Sequence, residues 1–234
     1  MLKILDEIQK NLLNTLFPVF CNGCNKLLLK NENVICTKCL HHLPLTHHHT
    51  IKNTEIDQTF YGLVPFEFGA AILYFNKKGI SQNLIHNLKY RNRQEIGTYL
   101  GDLYAKELSN IETIKTIDYI IPVPLHQKKF HQRGYNQVIT FCKAIENNLG
   151  IPLLDNVLIK IKNVKSVTDK SKKNRLEQNK NVFTIENQEK IIGKHILIID
   201  DVFTTGATIE ACAKEILKIK NTKISILTMA YSKL

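Results

Sequence analysis

One short stretch of this chain combines acidic, hydroxyl and small residues in an order suited to binding a phosphorylated sugar. Two adjacent acids, Asp200 and Asp201, follow the apolar run His195–Ile199, and a turn of small polar residues comes next. The candidate phosphate-binding residues are Thr204, Thr205, Gly206, Ala207 and Thr208. The threonines bring hydroxyl donors, and a glycine lets the backbone approach an anion closely. If a helix begins at Ala207, its first N–H groups and its dipole favour a phosphate.

The paired acids predict that the ligand contains a sugar and is not a bare phosphate, because a carboxylate repels a phosphate. Asp200 and Asp201 suit the 2′- and 3′-hydroxyls of a ribose, which are donors that need charged acceptors. They also suit Mg²⁺, bound directly or through water. The competing interpretation is that the acids only cap a helix, although a cap needs a single aspartate. A nucleoside-triphosphate loop is excluded, since GxxxxGK[ST] does not occur in the sequence.

Four of the six cysteines fall within nineteen positions and predict a zinc site. Cys21 and Cys24 form one CxxC pair, Cys36 and Cys39 form another, and eleven residues separate the pairs. Two such knuckles supply four thiolates, which is a closed, structural Zn²⁺ site without an open position for catalysis. A dithiol redox switch is the alternative. One of the nearby histidines, in the range 41–49, could also replace a cysteine ligand.

A second candidate loop lies between residues 119 and 137. Tyr119–Val123 is predicted to be a strand that runs into a proline-stiffened turn and then into a basic segment. Arg133 could meet an anion, Tyr135 could stack on a flat group, and Asn136 is a plausible N-cap for the helix that follows. The alternative is a surface loop whose cations are only solvated.

The elements that must position these residues alternate between β-prone and helical segments. Apolar runs predict strands at 70–75, 119–123, 196–199 and 224–230, and helical spacing predicts helices at 2–17, 80–90, 95–108, 136–149 and 207–219. This alternation favours an α/β fold with a mostly parallel sheet and flanking helices. The polar run His47–Gln58 is predicted to be a linker. We therefore divide the chain into residues 1–50, with the N-terminal helix and the zinc module, and residues 51–234.

Composition limits the classes of partner. The chain has 234 residues and a formal net charge of +11, which favours anionic partners. The alternative is that the lysine-rich faces serve only to keep the protein in solution. Basic residues are densest at 160–180, which is predicted to be a flexible loop. No run of about 18 apolar residues predicts membrane insertion, and the first 17 residues do not resemble a signal peptide. The expected location is the cytoplasm.

Together these motifs resemble a known family. The segment Ile198–Thr208 resembles the ribose-phosphate signature of type I phosphoribosyltransferases. The order of Pro-Val-Pro-Leu-His at 122–126, Arg-Gly-Tyr-Asn-Gln at 133–137 and this signature, behind a four-cysteine module, resembles the ComF family of competence proteins. The resemblance implies a type I phosphoribosyltransferase-like fold. It assigns Asp200 and Asp201 to the ribose diol and the residues from 204 to 208 to the 5′-phosphate of phosphoribosyl pyrophosphate.

The resemblance also implies further site residues. It places Lys89 or Arg91, in the segment Leu88-Lys89-Tyr90-Arg91, near the pyrophosphate. The alternative is an exposed helix end whose cations only complement the helix dipole. Between the two loops, Arg175 matches a family arginine. Val167 and Gln178 depart from the family's glutamine and asparagine there, which weakens the prediction that this segment clamps a substrate.

Two functions from different classes remain open. One is a Mg²⁺-dependent phosphoribosyltransferase whose acceptor and general base the sequence does not identify. The other is a protein of the DNA-uptake pathway that handles single-stranded DNA and uses the ribose-phosphate site as a sensor. The second context comes from the ComF resemblance, which implies natural transformation and DNA-uptake proteins as partners. Basic charge is compatible with it but is not specific.

Overall fold

A computed structural model describes residues 18–161 and 182–233 of the chain. The predicted helix at 2–17, Arg175 and most of the basic run 160–180 lie outside these residues. The helices are α1 (Thr37–His41), α2 (Glu55–Phe60), α3 (Ile80–Tyr90), α4 (Glu95–Leu108), α5 (Glu112–Lys115), α6 (Gln127–Arg133), α7 (Ile139–Leu149) and α8 (Ala207–Ile216). The strands are β1 (Gly69–Tyr74), β2 (Tyr119–Pro122), β3 (Leu158–Lys160), β4 (Phe183–Ile185), β5 (His195–Phe203) and β6 (Lys223–Tyr231).

The predicted parallel α/β sheet is confirmed. Its strand order is β1-β6-β5-β2, and every neighbouring pair is parallel. The central strand β5 is buried on both faces. Leu197 and Ile199 pack into the core that contains α3, α4 and α7, whereas Ile196 and Ile198 pack into the core that contains α8. Complete burial of such a side chain contributes about 1.5–3 kcal/mol, so these four residues hold the strand firmly between two helical layers.

Two predictions about the site elements are corrected. The predicted strand 196–199 is too short, since β5 begins at His195 and continues through both acids to Phe203, which pairs with Tyr231 of β6. The turn therefore begins at Thr204. The helix predicted from Asn136 begins at Ile139, although the Asn136 carboxamide oxygen still accepts the Val138 N–H at 3.4 Å.

The predicted linker at residues 47–58 is wrong. His48 is buried, and its Nδ1 accepts the backbone N–H of Ala71 in β1 at 3.4 Å. Thr54 and Asp57 form a capping box that starts α2, and this helix buries Ile56 in the core. These residues are thus part of the packed fold, while the division of the chain at residue 50 stays a prediction.

An antiparallel pair, β3 and β4, lies outside the main sheet and was not predicted. Its strands have three residues each, and Val157, Leu158 and Phe183 pack into the same core as α8. Within the described part of the chain, every helix is too short or too polar to span a bilayer.

Candidate functional site

The candidate phosphate loop joins β5 to α8 at the carboxyl edge of the sheet, which is where open α/β sheets bind ligands. Thr204, Thr205 and Thr208 are exposed, and Ala207 is the first residue of α8. The first intrahelical hydrogen bond of α8 runs from Glu210 N to the Gly206 carbonyl at 2.8 Å. The N–H groups of the first turn consequently point out of the helix toward the loop, as anion binding requires.

Gly206 makes this turn possible. Its φ of +75° lies in the left-handed region, and an added Cβ would lie 2.9 Å from Cζ of Phe203 and 3.1 Å from Phe60. The two aromatic rings stand edge to face with centroids 5.4 Å apart, and Tyr231 stacks on Phe203 at 5.7 Å. The loop therefore rests on an aromatic floor contributed by α2, β5 and β6.

The two acids have different surroundings. Asp201 is buried, its Oδ1 lies 2.8 Å from Lys89 Nζ, and its Oδ2 accepts a short hydrogen bond from Gln137 Nε2. Asp200 is half-buried, and its Oδ1 accepts the Asp201 N–H at 2.8 Å. Burial, and then the negative charge of Asp201, raise the pKa of Asp200 to about 7, while Lys89 and Lys160 oppose the shift. Asp201 is thus held by the protein, and Asp200 is the less engaged acid.

The predicted basic loop contributes Arg133 at the end of α6. Its Nη1 donates a short hydrogen bond to Gln137 Oε1, and its guanidinium lies 5.3 Å from the centroid of the Tyr90 ring. Arg133, Gln137, Asp201 and Lys89 therefore form one continuous polar chain from α6 through the turn before α7 and β5 to α3.

The other sequence-predicted residues lie farther from this chain of contacts. The Tyr135 hydroxyl donates to the Leu88 carbonyl, which fixes the end of α3. The Tyr135 ring lines a cavity of about 350 Å³ together with Pro122 and Phe130. Arg91 is exposed at the C-cap of α3 and makes no ion pair with the described residues.

Sequence reasoning missed several residues that border the site. Gln137 had only its place in a motif as a signal, and its contact with Asp201 spans 64 positions. Lys160 of β3 lies near enough to Asp200 for their charges to interact, and burial lowers its pKa. A cavity of about 330 Å³ adjoins the phosphate loop, and it is lined by Phe75, Gln82, Ile85, His86, Lys89, Tyr90, Val202, Thr204 and Ser232.

The four predicted cysteine ligands come together. The Sγ atoms of Cys21, Cys24, Cys36 and Cys39 all lie within 4.8 Å of one another, and those of Cys24 and Cys36 are 3.7 Å apart. A tetrahedral zinc site with Zn–S bonds of about 2.3 Å requires S–S separations of about 3.8 Å, so the cluster fits zinc. Backbone N–H groups of Gly23 and Cys36 donate to Cys21 Sγ at 3.3 and 3.2 Å, as expected around a thiolate.

The knuckles also hold α3. Asn83 Nδ2 donates to the Gly23 carbonyl at 2.7 Å, and Asn87 Nδ2 donates to the Asn22 carbonyl at 3.1 Å. An added Cβ on Gly23 would lie 3.0 Å from both Cys39 Sγ and the Ile80 side chain, so a larger residue would separate the knuckle from the helix. The helix that carries Lys89 is therefore attached to the cysteine cluster.

Comparison with known proteins agrees with this geometry. The model of the phosphoribosyl transferase domain matches residues 136–233, which include the phosphate loop and both acids. Similar curated proteins include Competence protein F of Haemophilus influenzae, 28% identical over 63% of this chain and 66% of that protein. The DNA utilization protein YhgH of Escherichia coli is 25% identical over 85% of this chain and 84% of its own length. Competence protein ComFC of Bacillus subtilis is 24% identical over 91% of this chain and 84% of its own.

Among solved structures, the glutamine phosphoribosylpyrophosphate amidotransferase of Bacillus subtilis matches 62% of this chain and 30% of its own, with 16% identity and a TM-score of 0.42. The phosphoribosyl transferase domain match at residues 136–233 covers the loop, both acids and the two central strands, β5 and β6, and the similarity to ComFC extends over 91% of the chain. The chain belongs to the ComF family, with a type I phosphoribosyltransferase domain behind a four-cysteine cluster.

Proposed function

We propose that this chain binds phosphoribosyl pyrophosphate and transfers its phosphoribosyl group to an acceptor, as one step of DNA uptake. The observation that carries the proposal is the phosphate loop at residues 204–208, which opens α8 beside Asp200 and Asp201 at the carboxyl edge of the sheet. The names of the relatives, which refer to competence and DNA utilization, support the biological context.

Each part of the ligand has a counterpart in the site. The 5′-phosphate would accept hydrogen bonds from the threonine hydroxyls and from the N–H groups that open α8. The ribose diol would donate to the acids, and the pyrophosphate would lie on the cationic side, near Lys89 and Arg133. The acceptor would enter the cavity of about 330 Å³, which shares Lys89 and Thr204 with the site.

Mg²⁺ fits the remaining donors. Asp200 Oδ2 makes no hydrogen bond with the described residues, so a carboxylate oxygen, the kind of ligand that Mg²⁺ prefers, stays available beside the predicted pyrophosphate position. When bound, Mg²⁺ would supply charge neutralisation of the leaving pyrophosphate. The chain's own contribution is to hold the phosphate, the diol and the leaving group in fixed positions. This positioning lowers the entropic part of the activation barrier.

The test is calorimetric titration of phosphoribosyl pyrophosphate with Mg²⁺, together with measurement of pyrophosphate release across a panel of amine and nucleobase acceptors. We expect binding, and we expect loss of it when Asp200 and Asp201 are both replaced by asparagine. The exposed Glu189→Gln variant, which lies before the amino end of β5 and so at the opposite edge of the sheet from the loop, removes one negative charge and should bind normally. Failure of the wild-type protein to bind the ligand would refute the proposal.

A second candidate function is handling of single-stranded DNA without turnover. Two exposed aromatic rings favour it, because Tyr90 and Phe130 are 68% and 48% exposed and lie among cations such as Arg91, Lys128 and Lys129. Bases stack on such rings while cations follow the phosphates. Titration of single-stranded DNA at several salt concentrations separates the two functions. Tight, salt-dependent DNA binding without pyrophosphate release would favour the second, and turnover without DNA affinity would exclude it.

A further inference from the structure

A buried glutamine connects a cation and an acid of the proposed site. Gln137 is 5% exposed and lies in the turn before α7. Its Oε1 accepts from Arg133 Nη1, and its Nε2 donates to Asp201 Oδ2. Because a carboxamide carries both an acceptor and a donor, it can satisfy a guanidinium and a carboxylate at the same time. An ionised carboxylate at this position would lack the donor to Asp201, and an apolar side chain would lose both bonds.

We propose that Gln137 is a positioning residue that fixes Asp201 and Arg133 relative to each other, so that the diol-binding and pyrophosphate-binding parts of the site form one unit. This inference rests on the proposed function, because its readout is the binding of phosphoribosyl pyrophosphate. Gln137 itself needs no contact with the ligand. Both polar atoms of its carboxamide are already engaged by the protein.

The surrounding contacts explain why the loss of this side chain should weaken ligand binding. Asp201 has two anchors, Lys89 on Oδ1 at 2.8 Å and Gln137 on Oδ2. Loss of Gln137 would leave Lys89 as the remaining anchor, and the acid could then rotate about a single contact. Arg133 would keep its position over Tyr90 but would lose the bond that turns it toward the sheet. A hydrogen bond to a charged group contributes about 1.5–3 kcal/mol, which corresponds to about a 10- to 150-fold change in an equilibrium constant.

A glutamate introduced at this position gives a specific signature. When ionised, the introduced carboxylate would repel Asp201, whereas when protonated it would donate an O–H to Asp201 and still accept from Arg133. The charged groups in contact with this side chain are Asp201 on β5 and Arg133 on α6, and Lys89 on α3 and Asp200 on β5 act on it through Asp201. Binding by the Gln137→Glu variant should therefore recover as pH falls. The ratio of variant to wild-type affinity is taken only at pH values where the variant is folded by circular dichroism, so that a recovery reports the site and not a gain in folded protein.

The experiment measures the affinity for phosphoribosyl pyrophosphate with Mg²⁺ for the wild type, Gln137→Leu and Gln137→Glu between pH 8 and pH 5. The ratio of variant to wild-type affinity is used at each pH, so that titration of Asp200 and of the ligand cancels. Gln58→Leu, an exchange at an exposed glutamine of α2, is the matched control and should bind like the wild type.

At pH 8 we expect Gln137→Leu to bind about 10- to 100-fold more weakly than the wild type, and Gln137→Glu to bind at least as weakly. The ratio for Gln137→Glu should rise about tenfold or more toward pH 5. Wild-type affinity in folded Gln137→Leu, or a pH-independent ratio for Gln137→Glu, would overturn the role. If Gln137→Leu fails to fold, the ratio for Gln137→Glu decides. A wild-type protein that does not bind the ligand refutes the proposed function and this role together, which distinguishes that failure from the others.

Discussion

The attachment of α3 to the cysteine cluster predicts that two asparagines link the metal site to the ligand site. Asn83 and Asn87 donate to the carbonyls of Gly23 and Asn22 at 2.7 and 3.1 Å. Lys89, two residues after Asn87, reaches Asp201 at 2.8 Å. Replacing both asparagines by alanine leaves the four cysteine ligands untouched but removes the bonds between the knuckle and the helix.

The magnitude follows from these two bonds. Each is a neutral hydrogen bond with a net contribution of about 1 kcal/mol, so removing both bonds lowers the unfolding free energy by about 2 kcal/mol. Alanine has a higher helix propensity than asparagine by about 0.5 kcal/mol at each of the two positions, which leaves a net loss of about 1 kcal/mol. Because the end of α3 is still held by Tyr135 and Asp201, the helix should loosen without unfolding.

The assays are urea denaturation, elemental analysis for zinc and hydrogen exchange of the amides in α3. We expect full zinc occupancy, a net loss of about 1 kcal/mol of unfolding free energy, faster exchange in α3 and several-fold weaker binding of phosphoribosyl pyrophosphate. Asn147→Ala, at an exposed asparagine of α7, is the control for helix propensity: it should raise the unfolding free energy by about 0.5 kcal/mol and leave zinc content, exchange in α3 and ligand binding unchanged. Unchanged stability and unchanged exchange in α3, with zinc retained, would refute the proposed link.

Three further outcomes test other parts of the site. Gly206→Ala should lower the free energy of unfolding by about 1–3 kcal/mol and abolish ligand binding, because the φ of Gly206 is positive and the added Cβ would lie 2.9 Å from Phe203. Wild-type stability and binding in this variant would contradict the aromatic floor. Because the pKa of Asp200 is raised from 3.8 to about 7, protonation stabilises the fold below pH 4, and that stabilisation is lost as pH rises to 7. The unfolding free energy of the wild type should therefore fall relative to Asp200→Asn across this window, by at most about 4 kcal/mol, and parallel pH profiles would exclude the shift. We expect the wild type to carry about one zinc per chain and Cys36→Ser to carry well below that by elemental analysis, and retained zinc in the variant would argue for a different ligand set.

The sheet and its long helices could be predicted because their signals are local. The run 196–199 and the helical stripe of α8 each reveal their element from neighbouring residues, and the structure places both as expected. The end of β5 was harder, because the pairing of Phe203 with Tyr231 depends on a strand that comes 20 residues later. β3 and β4, with three residues each, are shorter than the patterns that sequence periodicity can resolve.

The misread linker shows which local signal was overlooked. Thr54-x-x-Asp57 is a capping pattern followed by the apolar Phe60, which predicts a short helix with a buried face. The burial of His48 had no such signal, because it depends on the backbone N–H of Ala71 in another element. Within the candidate site the same rule holds. The loop and the cysteine ligands were predicted from local spacing, whereas the contacts of Gln137 and of Lys89 with Asp201 join residues 64 and 112 positions apart.

The two adjacent acids are alike in sequence but not in structure, and this difference orders the proposed chemistry. Asp201 uses both carboxylate oxygens on Lys89 and Gln137, so a ribose hydroxyl can reach it only by sharing or displacing a protein partner. Asp200 keeps an oxygen available and has a pKa near neutrality, so its charge depends on what binds beside it. A divalent cation or a hydroxyl donor at Asp200 would favour the carboxylate form and release a proton. Ligand binding at pH 7 should therefore be coupled to proton release through Asp200, while Asp201 keeps the cations of α3 and α6 aimed at the same point.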